Sequence, residues 1–212
     1  MSLKRAGLAI LFLSLLLLIA GCTSLQVGSE VMAGRFALQQ GKPEKAIVHF
    51  ERLTGLDPDY VTNWTEIDIG VWTYLGRAYY EAGNFHKALE ALRRGRATHR
   101  EDHVVRLYLG LVQIRMRQRE QGLRELAGGL SDLRRWLDYV AYYGVDAEFW
   151  DPGERLANAL SDNLAMIEGG DFSWAELVSN SEWLGREFDV EIDEVHEEKF
   201  RFIESDDGGK TD

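Results

Sequence analysis

Apolar positions recur three and four residues apart along most of the chain, and short breaks containing glycine or proline interrupt them. The pattern predicts helices joined by tight turns. The clearest pair of stripes lies between Trp72 and Ala91. Trp72, Leu75, Gly76 and Tyr79 share one helical face, Gly83-Asn84 breaks it, and Ala88 and Leu92 open a second face that packs back on the first. This is the signature of a helical hairpin. Gly76 and Ala88 leave room for two backbones to approach closely, while the larger residues fill the space around them.

The same register occurs on both sides. Gly34, Gly41, Ala46, Phe50 and Pro58 anticipate Gly76, Gly83, Ala88, Leu92 and Arg100, each 42 residues later. Pro43 with Glu44 starts a second helix after the Gly41-Lys42 turn, and Leu56-Asp57-Pro58-Asp59 stops it. On the C-terminal side, Leu109-Gly110, Gly122, Leu126 and Gly129 follow Leu75-Gly76, Ala88, Leu92 and Gly95 at a spacing of 34, with Arg106 and Gln113 in place of Trp72 and Tyr79. These residues resemble the tetratricopeptide repeat, a 34-residue hairpin marked by Trp, Leu-Gly, Tyr, Ala, Phe and Pro. Trp72, Leu75, Gly76, Tyr79 and Ala88 match as they stand, Leu92 replaces Phe, and the Pro is missing. The excess of the first spacing over the repeat is supplied by Val61 to Asp68, an insertion or an extended first turn. The first unit is irregular, because Glu30, Ala33 and Ala37 replace the large Trp, Leu and Tyr.

The resemblance implies an all-α solenoid of about three repeats over residues 33–136, with C-terminal capping helices over 137–204. Ser131 is expected to cap a helix carrying Leu133, Trp136, Leu137, Val140 and Tyr143, and Asp151-Pro152 to start another that ends at Gly169-Gly170. With Asp171 to Ile203 they make two or three helices over the open end of the stack, which explains Trp136, Trp150, Trp174 and Trp183 as packing. Residues 205–212 read as a disordered acidic tail.

The N-terminus adds an address. Lys4 and Arg5 precede an apolar run from Ala6 to Ala20, too short to span a bilayer comfortably, which reads as a secretory signal peptide over 1–21. Leu18-Ile19-Ala20-Gly21-Cys22 resembles a bacterial lipobox, which implies lipidation of Cys22 and cleavage before it. Several acyl chains hold a protein on a membrane without crossing it. Residues 22–32, mostly small and polar, read as a lipidated tether. Thr23, in place of the Asp that tends to retain lipoproteins at the inner membrane, favours the outer membrane of a Gram-negative envelope, facing the periplasm.

Charge and composition narrow the partners. A net charge of −11 argues against nucleic acid, and a single cysteine excludes an intramolecular disulfide or a cysteine zinc site. The charge is uneven: Lys87 to Arg135 holds 12 basic and 6 acidic residues, whereas Asp146 to Asp212 holds 5 and 20. Two readings stand, solvated faces or docking of the acidic region onto an oppositely charged surface, internal or foreign.

Catalytic chemistry is sparse. His99 and His103 have the spacing of a helical metal pair but lack an evident third ligand, and no cofactor or metal is expected. Glu148, Asp151 and Glu154 around Trp150 give the alternative of an envelope enzyme or glycan-binding module, with Asp151 better explained as a helix cap. The resemblance points instead to the concave groove formed by the first helix of each hairpin. Its lining is Arg35, Leu38 and Gln39, then Arg77, Tyr80 and Glu81, then Leu111, Ile114 and Arg115. Arg35 and Arg77 are expected as a free guanidinium pair beside Tyr80, suited to an acidic or extended peptide segment. The reading is therefore a non-enzymatic, membrane-anchored scaffold or assembly factor that binds protein partners in this groove.

Overall fold

A computed structural model describes residues 25–62 and 66–208. The expected signal peptide, Cys22, residues 63–65 and residues 209–212 lie outside them. Helix α1 covers 25–39 and is followed by α2 (Pro43–Leu56), α3 (Val71–Glu81), α4 (Phe85–Thr98), α5 (Val104–Arg115), α6 (Arg119–Tyr143), α7 (Arg155–Gly169) and α8 (Trp174–Gly208). The chain is all-α apart from one small ribbon. Strands β1 (Val61–Thr62) and β2 (Ile69–Gly70) pair antiparallel, with Val61 opposite Gly70. The expected insertion is thus a β-hairpin, pinned down by buried Ile67 and Ile69.

Three hairpins, α1–α2, α3–α4 and α5–α6, repeat one contact. A Cβ on Gly34 would meet the Phe50 ring at 2.6 Å, one on Gly76 would meet Leu92 Cγ at 2.4 Å, and one on Gly110 would meet Leu126 N at 2.6 Å. Each glycine lets the second helix lie directly on the first. The turns repeat as well. Gly41 N donates to Leu38 O and Lys42 N to Ala37 O, and the same two bonds join Gly83 and Asn84 to Tyr80 and Tyr79, and Arg117 and Gln118 to Ile114 and Gln113. This paired closure satisfies the last carbonyls of a helix and needs a residue with positive φ. Gly41 (φ 64°) and Gly83 (φ 75°) suit it, while the third unit places Arg117 there at φ 63°.

Four boundaries differ from expectation. Helix α1 is already formed at residue 25, with Glu30 and Val31 buried, so the segment expected as a tether through residue 32 belongs to the array. Helix α6 runs unbroken through Ser131, which caps nothing: Leu126, Leu130, Leu133, Leu137 and Val140 form one continuous buried stripe that carries the helix past the repeat. Helix α7 starts at Arg155, after a turn in which Asp151 and Glu154 both take positive φ. Helix α8 is a single element of 35 residues that reaches Gly208, into the stretch expected as a disordered tail. It also does more than cap the end of the stack, because it lies along the first helices of the hairpins.

Three substitutions test this account. Gly110→Ala sets a methyl against the Leu126 backbone, which cannot rotate away, and is expected to cost about 1–3 kcal/mol, whereas Gly28→Ala, with nothing within 4 Å of the added carbon, is expected to gain about 0.5–1 kcal/mol. Arg117→Gly relieves a left-handed backbone and is expected to stabilise by about 1 kcal/mol. Denaturant melts of the three variants would show equal midpoints if the repeat geometry were wrong.

Candidate protein-binding groove

The groove residues come from matching positions of α1, α3 and α5, so they form a strip across the concave face. Helix α8 lies on that strip and presents carboxylates to it. Arg35 Nε donates to Asp189 Oδ1 at 3.0 Å and its Nη2 donates to the Asp189 carbonyl at 3.1 Å. Arg35 Nη1 is 2.8 Å from Asp193 Oδ1, and Gln39 Nε2 donates to Asp193 Oδ2 at 2.6 Å. One repeat on, Arg77 Nε donates to Glu81 Oε1 at 2.8 Å. Arg77 Nη1 stands 3.3 Å from Asp189 Oδ2, near enough for an ion pair but not aligned as a hydrogen bond. One carboxylate therefore serves two arginines.

The strip continues through α3 and α5. Tyr80 OH donates to Glu182 Oε1, Arg115 Nε donates to the Tyr80 hydroxyl at 3.1 Å, and Arg115 Nη2 donates to Glu182 Oε1 at 2.7 Å. Beneath them Tyr108 packs against α8 so closely that a Cβ on Gly185 would meet its hydroxyl at 2.5 Å. Burial opposes the charge of both Arg35 and Arg77, yet Tyr74, Asp189 and Asp193 around the first, and Tyr108, Asp189 and Glu81 around the second, raise each pKa above its ordinary value. Burial pushes the Tyr80 hydroxyl up as well, with Glu182 adding to it and Arg115 opposing. Both guanidinium groups stay charged inside the protein.

The expectation of a free guanidinium pair is thus corrected. Arg35 and Arg77 do lie on one strip, one repeat apart, but they are only 3% and 4% exposed because α8 neutralises them. Leu38, Leu111 and Ile114 are buried too, as packing residues. Of the two readings of the uneven charge, docking of the acidic region inside the chain is the one seen, and its main receptors, Arg35 and Arg77, precede the basic block counted in the sequence. Only side-chain chemistry at long sequence separation joins these groups, so no local pattern pointed to Asp189.

Part of the groove stays open beside α8. A pocket of about 470 Å³ is lined by Leu38, Gln39, Tyr80, Glu81 and Arg115 together with Phe85, Tyr108 and Arg186. Five of the nine residues expected in the groove therefore meet there. Its rings are fixed by one another, with Tyr80 5.7 Å from Phe85 and 6.0 Å from Tyr108 between centroids. Arg186 is exposed and makes no ion pair among the described residues. Glu182, paired with Arg115, lines the pocket as well, so Arg186 is the cation on the rim that suits a peptide side chain with an acidic neighbour.

The arrangement imagined for an enzyme does not form. Trp150 is buried edge-on against Trp136 and donates to Glu66 Oε2 at 2.9 Å, while Glu148 and Glu154 face solvent. Asp151 caps α7, accepting from Leu156 N at 2.9 Å and Ala157 N at 2.8 Å. Among the described residues no group of three His, Cys, Asp or Glu is placed to hold a metal ion. Residues 37–108 match the family model described as tetratricopeptide repeat, a span from the first turn through the opening of the third hairpin. Comparison with curated proteins and with solved structures returned no match.

The ionic layer generates a prediction opposite to that of a free pair. Because truncating one member of a buried ion pair strands the other, Arg35→Ala with Arg77→Ala is expected to destabilise by about 3–5 kcal/mol, with loss of α8 docking in chemical denaturation and hydrogen exchange. Unchanged stability would mean that α8 is held by its apolar face alone.

Proposed function

We propose that this chain, which belongs over residues 37–108 to the tetratricopeptide-repeat family, is a scaffold or assembly factor that holds other proteins beside a bacterial membrane. Such repeats mediate protein–protein interaction. The observation that carries the reading is the open part of the groove, where Tyr80, Phe85 and Tyr108 give a rigid aromatic floor and Arg186 stands on the rim beside the Arg115–Glu182 pair. Rigid rings contribute contact area at low entropic cost, and arginine recognises carbonyls and carboxylates in its plane. The ligand this combination favours is an extended segment that places an apolar side chain in the pocket and an acidic one at Arg186. Helix α8 fills the rest of the groove, so the contact is shorter than one running along all three hairpins.

The membrane part rests on sequence. The lipobox-like Leu18-Ile19-Ala20-Gly21-Cys22 supports lipidation of Cys22, and Thr23 supports an outer-membrane anchor facing the periplasm. Among the described residues no helix is long and apolar enough to cross a membrane.

Capture of partners from detergent-solubilised envelope by the intact protein tests the pocket. Arg186→Glu breaks no ion pair among the described residues, and is expected to lower recovery of an acidic partner by about tenfold or more without moving the melting curve. Recovery unchanged by both Arg186→Glu and Phe85→Ala would move binding to another face. Fatty-acid labelling that persists in Cys22→Ser would overturn the anchor.

A further inference from the structure

Helix α1 has one face turned outward, and its composition is unusual for this chain. Its exposed residues are Leu25, Gln26, Ser29, Met32, Phe36 and Gln39, none of them charged. Leu25, Met32 and Phe36 are 79%, 57% and 61% exposed, and with Ser29 they fall at intervals of four, three and four, a single stripe along the helix. Both charged residues of α1 point elsewhere. Glu30 binds His49 Nδ1 at 2.6 Å, and Arg35 is buried on Asp189 and Asp193. More than a quarter of the chain is charged, so an uncharged stripe with three large apolar side chains is not an ordinary solvated surface.

The position of Cys22 says what lies against this face. Leu25 is three residues after Cys22, and three residues reach at most about 11 Å when fully extended. A lipid on Cys22 therefore brings the start of α1 to the headgroup layer. The helix, about 22 Å long, either stands away from the bilayer with its apolar stripe in water or lies along it with the stripe in the interface. We propose that α1 lies on the membrane surface and that Leu25, Met32 and Phe36 enter the boundary between headgroups and acyl chains, so that the anchor is a lipid together with a helix face. The proposal rests on the lipidation of Cys22. It gives the array a fixed attitude: the first hairpin touches the bilayer and the later hairpins extend from it. The lack of lysine or arginine on the stripe makes the contact apolar and independent of anionic lipid.

Because Cys22 is the only cysteine and is blocked by its lipid, a second one can be introduced and labelled. The full-length protein, purified with its lipid and reconstituted into phosphatidylcholine vesicles carrying a doxyl-labelled lipid, would bear an environment-sensitive fluorophore at Met32→Cys, Phe36→Cys or, as control, Arg124→Cys on α6. Acyl mass on Cys22 is measured on the same samples. The expected result is a blue shift and doxyl quenching at 32 and 36 and neither at 124, unchanged when anionic lipid is added or salt is raised. Acylated protein whose probes at 32 and 36 behave like that at 124 overturns the proposal and leaves the anchor intact. A blue shift without doxyl quenching, accompanied by cross-linking of Phe36→Cys between copies, overturns it in favour of a dimer face. Absence of acyl mass removes the anchor and the proposal together.

Discussion

The fold turns on one carboxylate. Asp189 is buried between Arg35 of the first hairpin and Arg77 of the second, and removing such charges from water carries a penalty that attraction repays only with good geometry. Here the geometry is supplied by several helices at once. Arg35 contacts the side chain and the carbonyl of Asp189, Asp193 takes its remaining nitrogen, and Glu81 holds Arg77 from its own helix. A shift of α8 by one residue would turn Asp189 about 100° around the helix and take from both cations the carboxylate they share. Apolar burial of Leu184, Phe188 and Ile192 supplies much of the docking energy, and the same slip would turn these side chains out of the interface. The apolar face and the charges therefore set one register together.

How far the residues spoke for themselves depended on distance along the chain. The hairpins were legible because Gly34, Gly76 and Gly110 each answer to a large residue sixteen positions on, and such local pairings impose their period on the sequence. The turn glycines Gly41 and Gly83 were legible for the same reason. What failed was long-range or tertiary. Ser131 resembles a cap in isolation, yet the leucine stripe beneath it continues and the helix with it. The alignment of Arg35 with Arg77 was readable from the repeat, but their partner lies 154 residues from the first of them, and nothing in a local pattern reports what will land on a groove. The uneven charge was the one hint, and it could not separate an internal ligand from a foreign one.

Occupation of the groove changes what the array can offer to others. An open solenoid presents its whole concave face, and a peptide gains affinity from each hairpin it crosses. In this chain much of that face is spent on α8. The rim around Tyr80, Phe85 and Arg186 remains, with the outer surfaces of the terminal hairpins. A short contact area favours transient exchange over permanent assembly.

Most solenoids can fray from either end, because each repeat leans only on its neighbours. Helix α8 removes that freedom by joining the first helix to the last, so the array is in effect a closed ring of contacts and should lose structure all at once. The order of synthesis then matters. Arg35 emerges early and waits for Asp189 until most of the chain has followed, so folding passes through a long stage in which α8 has not yet covered the groove. The interval before the ring closes is when this protein most needs protection from the wrong partner.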